Sequence, residues 1–381
     1  MSNSIQPLVI IGTGLAGYSL AREFRKLNTN QALILITKDN GDYYSKPMLS
    51  TALTKQQTPK QLATASVKQM AQELKAEIIT HTQVATIDPK LKTVSYDNKT
   101  LQYEKLVLAT GAKTISLKLQ TATSAEILAV NNLTDYTKFR EKLINKKEVT
   151  IVGSGLIGCE YTNDLLNVGY QVNVCSFEPW PLRNLLPEKP ARYLQQGLAN
   201  KGANWYLEQG VVAIEQFENS YQIKLADGRI IATELVISAI GIRPDLTLAK
   251  AANLQTAQGI VVNQYLETSQ TDIYALGDCV EYQEEVLAYV QPITHGARAL
   301  AKTLAGERTR LRYPCMPVVV KTSAYPVIVS RPGLANKPWQ LEGDQLGLIG
   351  YYKEQEKIRG FLLTGDKTKH RMTLINQVEL Q

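Results

Sequence analysis

Two glycine-rich segments carry the most specific chemistry in this chain. Gly12-x-Gly14-x-x-Gly17 follows the hydrophobic run Leu8 to Ile11, and Gly153-x-Gly155-x-x-Gly158 follows a similar run from Val149. In each, the first glycine permits a tight turn and the second lets a pyrophosphate reach the backbone. The third lets the following helix pack closely on the strand. Free N–H groups at that helix N-terminus attract the phosphates. One such motif is a weak signal; two in matched context predict two dinucleotide sites. An acid about 20 residues on should hold the ribose hydroxyls. In the first copy this is Asp39, with Lys38 before it; in the second it is Glu178, after Cys175-Ser176-Phe177. No lysine or arginine stands between 170 and 182 to meet a 2′-phosphate, which favours NADH over NADPH.

The elements that position these glycines form an internal repeat. Residues 8–27 and 149–168 both read as strand, glycine turn and helix, and each is followed by a second hydrophobic strand, 32–37 and 170–176. Residues 79–112 and 206–242 then repeat a meander of short alternating strands and a buried strand, ending at Gly111 and Gly241. Turn signals stand at Asp88-Pro89, Asp97-Asn98 and Asp227-Gly228. The pattern predicts an α/β fold with two Rossmann-like domains, each an open parallel sheet with crossover helices. Beyond the second copy come a strand ending in Gly277-Asp278, a helix from about Thr294 to Leu304, and a tail from about Cys315 that alternates like a small antiparallel sheet.

At 381 residues the chain exceeds what one core usually holds. No apolar run is long enough to span a bilayer, and the first strand begins too early for a secretory leader, so a cytoplasmic protein is expected. Cys159, Cys175, Cys279 and Cys315 form no C-x-x-C pair, and His81, His295 and His370 are scattered, so no metal site is expected. The formal charge is +7, and it is concentrated. From Tyr43 to Gln72 stand Lys46, Lys55, Lys60 and Lys68 without an acid; from Gln291 to Gln340 stand eight basic residues, Arg331 and Lys337 among them, against Glu307 alone. A basic nucleic-acid-binding or signalling protein is the alternative of another class, but two nearly complete dinucleotide sites argue against nucleic acid as the partner.

Three further segments bring a family into view. Gly12-Thr13-Gly14-Leu15-Ala16-Gly17, Ala109-Thr110-Gly111 and Tyr274-Ala275-Leu276-Gly277-Asp278 resemble the fingerprints of two-dinucleotide FAD reductases of the glutathione-reductase structural class. Tyr44-Ser45-Lys46-Pro47-Met48-Leu49-Ser50 resembles the Y-x-R-P-x-L-S-K segment of ferredoxin-reductase-like enzymes, with lysine for arginine. With Gly155-Leu156-Ile157-Gly158-Cys159-Glu160 and Pro317 to Thr322, the chain is similar to bacterial rubredoxin reductases, over essentially its whole length. Two departures stand out: the usual second-copy acid aligns with Ser176, and Asp39 replaces a more common glutamate.

The resemblance implies FAD on the first copy and NADH on the second. It implies an FAD domain of residues 1–114 and 244–314, an NAD domain of 115–243 and a C-terminal α+β domain of 315–381. It places Val84, Asp278 and Val290 with the FAD-binding residues, and Glu160 near the flavin and nicotinamide. Lys46 and Lys321 are the cations expected beside the isoalloxazine, where an ammonium would stabilise reduced flavin. Relatives that relay electrons through thiols carry a cysteine on the early helix; this chain has none before Cys159, which is expected to be a small buried hydrophobe. The implied acceptor is rubredoxin, a small acidic one-electron iron protein, in an alkane hydroxylase system; a ferredoxin or flavorubredoxin is the alternative. The two acid-poor stretches would then form a docking collar for it.

Overall fold

The apolar runs that open each half of the repeat are strands buried along their whole length, as parallel strands covered by helices must be. In the computed structural model, which describes residues 6–119, 125–330 and 338–379, Leu8–Ile11 lies between Leu33–Ile36 and Lys105–Leu108, with Val9 opposite Ile34 on one side and Leu106 on the other. Glu77–Ile79 extends this parallel sheet at one edge and Ile273–Ala275 at the other. The helix Leu15–Leu27 returns the chain from the first strand to the second, burying Tyr18, Leu20, Ala21 and Phe24, and packs on the helix Val290–Leu304.

The second copy repeats this order. Glu148–Val152 lies between Gln171–Cys175 and Leu235–Ser238, with Ala203–Tyr206 and Ile127–Leu128 at the edges, all parallel. Each copy carries its three-stranded antiparallel meander, Thr86 to Gln102 and Val211 to Thr233. The tail forms the expected antiparallel sheet, in the order Val318–Val320, Val327–Val329, Lys357–Thr364, Gly347–Glu354, Gln340–Asp344.

Two boundaries differ from expectation. The helix expected from Thr294 begins at Val290. Pro292 falls in its first turn, where the missing N–H would have no intrahelical partner anyway. By packing, the chain divides into one unit of Met1–Lys46, Gln61–Lys113 and Ile242–Tyr313, and another of Pro47–Lys60, Thr114–Gly241 and Pro314–Gln381. Pro47–Lys60 therefore groups with the second copy, although it was expected within the first.

Candidate functional site

Within the first unit, the glycine turn is built by sterics and left open where a ligand would lie. Gly12 has φ +113°, and a Cβ there would stand 2.2 Å from the Ala109 carbonyl oxygen. Gly17 faces the Gly12 carbonyl closely enough that a Cβ would stand 1.9 Å from it. Gly14 is different. Its φ of −67° suits any residue, and a Cβ there would meet nothing within 4 Å. Nothing in the fold requires glycine at Gly14, so the space beside it fits a dinucleotide phosphate approaching the helix N-terminus.

Around that turn, Thr13 and Ala16 are buried and Leu15 half-buried. Asp39 Oδ1 accepts from Thr13 Oγ1 at 3.3 Å, Thr37 Oγ1 at 2.8 Å and the Gly41 N–H at 3.0 Å, which fixes its carboxylate beside the glycine turn. Lys38 is exposed beside it. Thr110 Oγ1 donates to the Asp245 carbonyl, and Gly111 turns with φ +68°. Gly277 has φ +94° and lies against Ala16. Asp278, largely buried, faces Lys46 Nζ at 3.8 Å; burial pushes its carboxyl up, against the opposing pull of the Lys46 ammonium. Val84 sits in the core of this unit, and Val290 is exposed at a helix start.

The second unit reproduces the turn. Gly153 has φ +114° and a Cβ there would lie 2.5 Å from the Ala239 carbonyl oxygen; one at Gly158 would lie 2.0 Å from the Gly153 oxygen. Gly155, with φ −74°, is open like Gly14. Just past the strand Gln171–Cys175, Ser176 Oγ accepts from Ser154 Oγ at 2.9 Å and from the Glu178 N–H at 3.1 Å. Glu178 is paired with Arg183 at 3.1 Å. The cation-free window of the sequence ends one residue short of this arginine, so the acid at this end does not stand alone.

Glu160, only 1% exposed, lies two residues past Gly158 in the helix Leu156–Asn167. Its Oε2 accepts from Ser50 Oγ at 2.5 Å and faces Lys321 Nζ at 2.8 Å; its Oε1 accepts from the Lys321 N–H at 3.1 Å. Lys321 Nζ also donates to Ser50 Oγ at 2.8 Å and to the Pro47 carbonyl. Lys46 and Lys321, grouped by sequence, thus belong to different ion pairs.

Three polar residues of the same helix were not singled out in the sequence. Asp164 accepts from the N–H groups of Leu53 and Thr54 at 3.0 and 2.8 Å. Asn163 Oδ1 accepts from the Ala324 N–H at 3.0 Å, and Asn167 Nδ2 donates to Thr54 Oγ1 and Ser323 Oγ at 3.1 Å each. Together with Glu160 they make a stripe at i, i+3, i+4 and i+7 that ties Pro47–Lys60 and the 321–324 turn to this helix.

Cys159 is fully buried beside them, its thiol pushed well up by burial and by the neighbouring Glu160. Cys175 and Cys279 are also buried, Cys315 is half-buried, and all four are free thiols. Of the basic stretches, Lys55, Lys60 and Lys68 are exposed, and Arg308 is engaged by Glu267 at 2.9 Å; Arg331 and Lys337 lie outside the described residues. Among the described residues no helix is long and apolar enough to cross a membrane.

Two glycine turns of this geometry on duplicated parallel sheets define a two-dinucleotide reductase. Residues 6–299 match the pyridine nucleotide-disulphide oxidoreductase family, and the chain belongs to it, as an oxidoreductase that uses FAD and NADH. Residues 310–378 match the rubredoxin binding C-terminal domain. Among curated proteins, the chain is 42% identical over 385 residues to a rubredoxin-NAD(+) reductase of Acinetobacter baylyi, covering 98% of each. It is 35% identical to a nitric oxide reductase FlRd-NAD(+) reductase of Aliivibrio fischeri, again covering 98% of each. The fold is shared with NADH:rubredoxin oxidoreductase from Clostridium acetobutylicum at TM-score 0.81 and 21% identity, covering 98% of this chain and 95% of that one. Putidaredoxin reductase in its covalent complex with putidaredoxin matches at 0.87 and 21%, covering 98% and 94%.

Proposed function

We propose that this chain carries electrons from NADH through FAD to rubredoxin. The observation that carries the reading is the pair of open cradles at Gly14 and Gly155, where only a ligand explains the missing side chain. FAD held on the first copy by the turn Gly12 to Gly17 would supply hydride acceptance from NADH and one-electron release to the acceptor. The chain's own part is positioning and electrostatics.

Residues 1–114 and 244–314 form the FAD domain in this reading, 115–243 the NAD domain and 315–381 the acceptor-binding domain. The turn Gly12 to Gly17 takes the FAD pyrophosphate and Asp39 its adenosine ribose, with Lys38 alongside. Val84, Ala109, Thr110, Gly111, Gly277, Asp278 and Val290 complete the FAD site, and Lys46 places a positive charge there. Gly153, Gly155 and Gly158 take the NADH pyrophosphate, and Glu178 the ribose.

Glu160 and Lys321 serve the nicotinamide end of the second copy. Their pair is buried on the carboxylate side, so it is weak evidence of stabilisation but a strong orienting contact, since losing either partner strands the other. No thiol takes part.

Rubredoxin is favoured as acceptor by the match of residues 310–378 and by the net positive charge of the chain. A flavorubredoxin is the second reading, favoured by the relatives at 35% identity. Supply of an alkane hydroxylase, in the cytoplasm, is the setting we infer. The test is turnover with NADH against purified rubredoxin, ferredoxin and flavorubredoxin. Rubredoxin should give the highest kcat/KM, falling as salt rises because encounter charges are screened beyond about 8–10 Å. Reduction of the flavin by NADH in stopped flow should change little with salt. A higher kcat/KM for ferredoxin, or no turnover with rubredoxin, would refute the proposal.

A further inference from the structure

The Glu160 carboxylate is met by two stretches of chain remote from it in sequence, and the residues that hold both stretches lie on its own helix, Leu156–Asn167. One stretch is the turn Lys321 to Ala324, which carries the Lys321 ammonium. The other is Pro47–Lys60, which carries two acceptors of that ammonium, the Pro47 carbonyl and Ser50 Oγ. Ser50 Oγ also donates to Glu160 Oε2 at 2.5 Å, so one hydroxyl touches both charges.

Asn163 holds the first stretch. It is 4% exposed, and its Oδ1 accepts from the Ala324 N–H at 3.0 Å and from Ser323 Oγ at 3.3 Å. Behind the turn, a Cβ on Gly197 would stand 2.9 Å from Tyr325 Cβ, so the helix Glu188–Ala199 closes the other side. Asp164 holds the second stretch through the N–H groups of Leu53 and Thr54. Asn167 Nδ2 ties the two together, donating to Thr54 Oγ1 and to Ser323 Oγ.

A lysine ammonium rides on a flexible four-carbon stem and does not place itself. Here the backbone end of Lys321 is set by the turn that Asn163 holds, and the acceptors at its far end by the stretch that Asp164 holds. Because Glu160 stands on the same helix as both, all three groups share one rigid frame. A carboxylate buried this deeply needs its cation in one place, since a displaced partner leaves the charge uncompensated.

We propose that Asn163 and Asp164 are positioning residues for the reduction of FAD by NADH, fixing the Lys321 ammonium between Ser50 and Glu160. The inference rests on the reading of Glu160 and Lys321 given above, as the pair that serves the nicotinamide end of the second copy. Each residue acts through Lys321.

The experiment is single-turnover reduction of the FAD-loaded protein by NADH, with flavin content and NAD⁺ binding measured alongside. Acylation of Lys321 by acetic anhydride, followed by mass spectrometry, reports on the ammonium itself, whose side chain is 29% exposed. Asp164→Asn keeps the side chain's shape but leaves one N–H without an acceptor. It should lower the limiting rate about tenfold, leave NAD⁺ affinity nearly unchanged and speed Lys321 acylation several-fold. Asn163→Leu should do the same, and it carries the test if Asp164→Asn does not fold. The deciding measurement is the double-mutant cycle: in a Lys321→Met background either substitution should change the rate by less than about twofold. An equal loss of rate in both backgrounds, or unchanged Lys321 acylation in the folded variants, would overturn the inference and leave the reductase reading intact. Failure of NADH to reduce the wild-type protein would overturn both.

Discussion

The two glycine turns enter helices that share an origin and have been put to opposite uses. In Leu15–Leu27 the buried face is Ala16, Tyr18, Leu20, Ala21 and Phe24, while Arg22, Glu23 and Lys26 keep contact with solvent. At the matching positions of Leu156–Asn167 stand Asn163, Asp164 and Asn167, and every residue from Gly158 to Leu165 is buried. The first helix follows the usual rule, an apolar stripe inward and charges outward. The second buries its polar stripe and satisfies it with chain from elsewhere, the N–H groups of Leu53 and Thr54 and the 321–324 turn. Duplication therefore preserved the glycine-turn start of the helix and freed its flank. One flank became a surface, the other a clamp.

Substitution at the shared start should have the largest effect, and the same kind of effect in both copies. Gly14→Val should leave the protein folded, because a Cβ there meets nothing within 4 Å, yet abolish FAD uptake; flavin absorbance per chain reports it. Gly155→Val should give a yellow protein that NADH no longer reduces. Retention of flavin by Gly14→Val, or normal reduction of Gly155→Val, would break the equivalence of the two turns.

The flanks should differ sharply in stability. Asp164→Ala strips the buried Leu53 N–H and the half-buried Thr54 N–H of a charged acceptor and should cost about 3 kcal/mol in urea unfolding. Glu23→Ala, its counterpart, removes only the exposed pair with Lys26 at 2.8 Å and should change stability by less than about 0.5 kcal/mol. Equal costs would mean that the second stripe is not a clamp.

The smallest effect concerns the ion pair of Asp278 with Lys46. Asp278, facing Lys46 at 3.8 Å, has its carboxyl pushed up by burial. A carboxyl that is easier to protonate when folded than when unfolded opposes folding once ionised, and that opposition vanishes below the unfolded value of about 3.9. Asp278→Asn should therefore make the flavin-free protein modestly more stable near neutral pH, with the gain shrinking as pH falls through the carboxylate range. Thermal midpoints across pH would show it; a gain that grows toward low pH would reverse the sign argued here.

Much of this was legible in the residues. Hydrophobic runs before G-x-G-x-x-G, Asp97-Asn98 at a hairpin where both adopt positive φ, and the alternating tail each have a local cause that the sequence displays. What escaped has a non-local cause. Asn163, Asp164 and Asn167 have the spacing of an ordinary solvent-facing stripe, and only the chain that folds onto them buries the first two and half-buries the third. Arg183 stood beyond the cation-free window and still reaches Glu178, because Leu182 turns the chain back at φ +56°, and leucine is not a residue type that announces a turn. Pro292 hid the start of its helix for the opposite reason, since proline signals a break as readily as a first turn.

The partition of the chain bears on how the protein is made. The polypeptide passes from one compact unit to the other five times, at residues 46, 60, 113, 241 and 313. The edge strand Ile273–Ala275 must find Lys105–Leu108 across the entire second glycine repeat. A ribosome releasing this chain from its N-terminus therefore finishes neither unit early: the first lacks its edge until residue 275 has emerged, and Pro47–Lys60 waits for a helix synthesised about 100 residues later. Exposed sheet edges persist through most of translation, so the nascent chain, more than the finished enzyme, is where a chaperone has work to do.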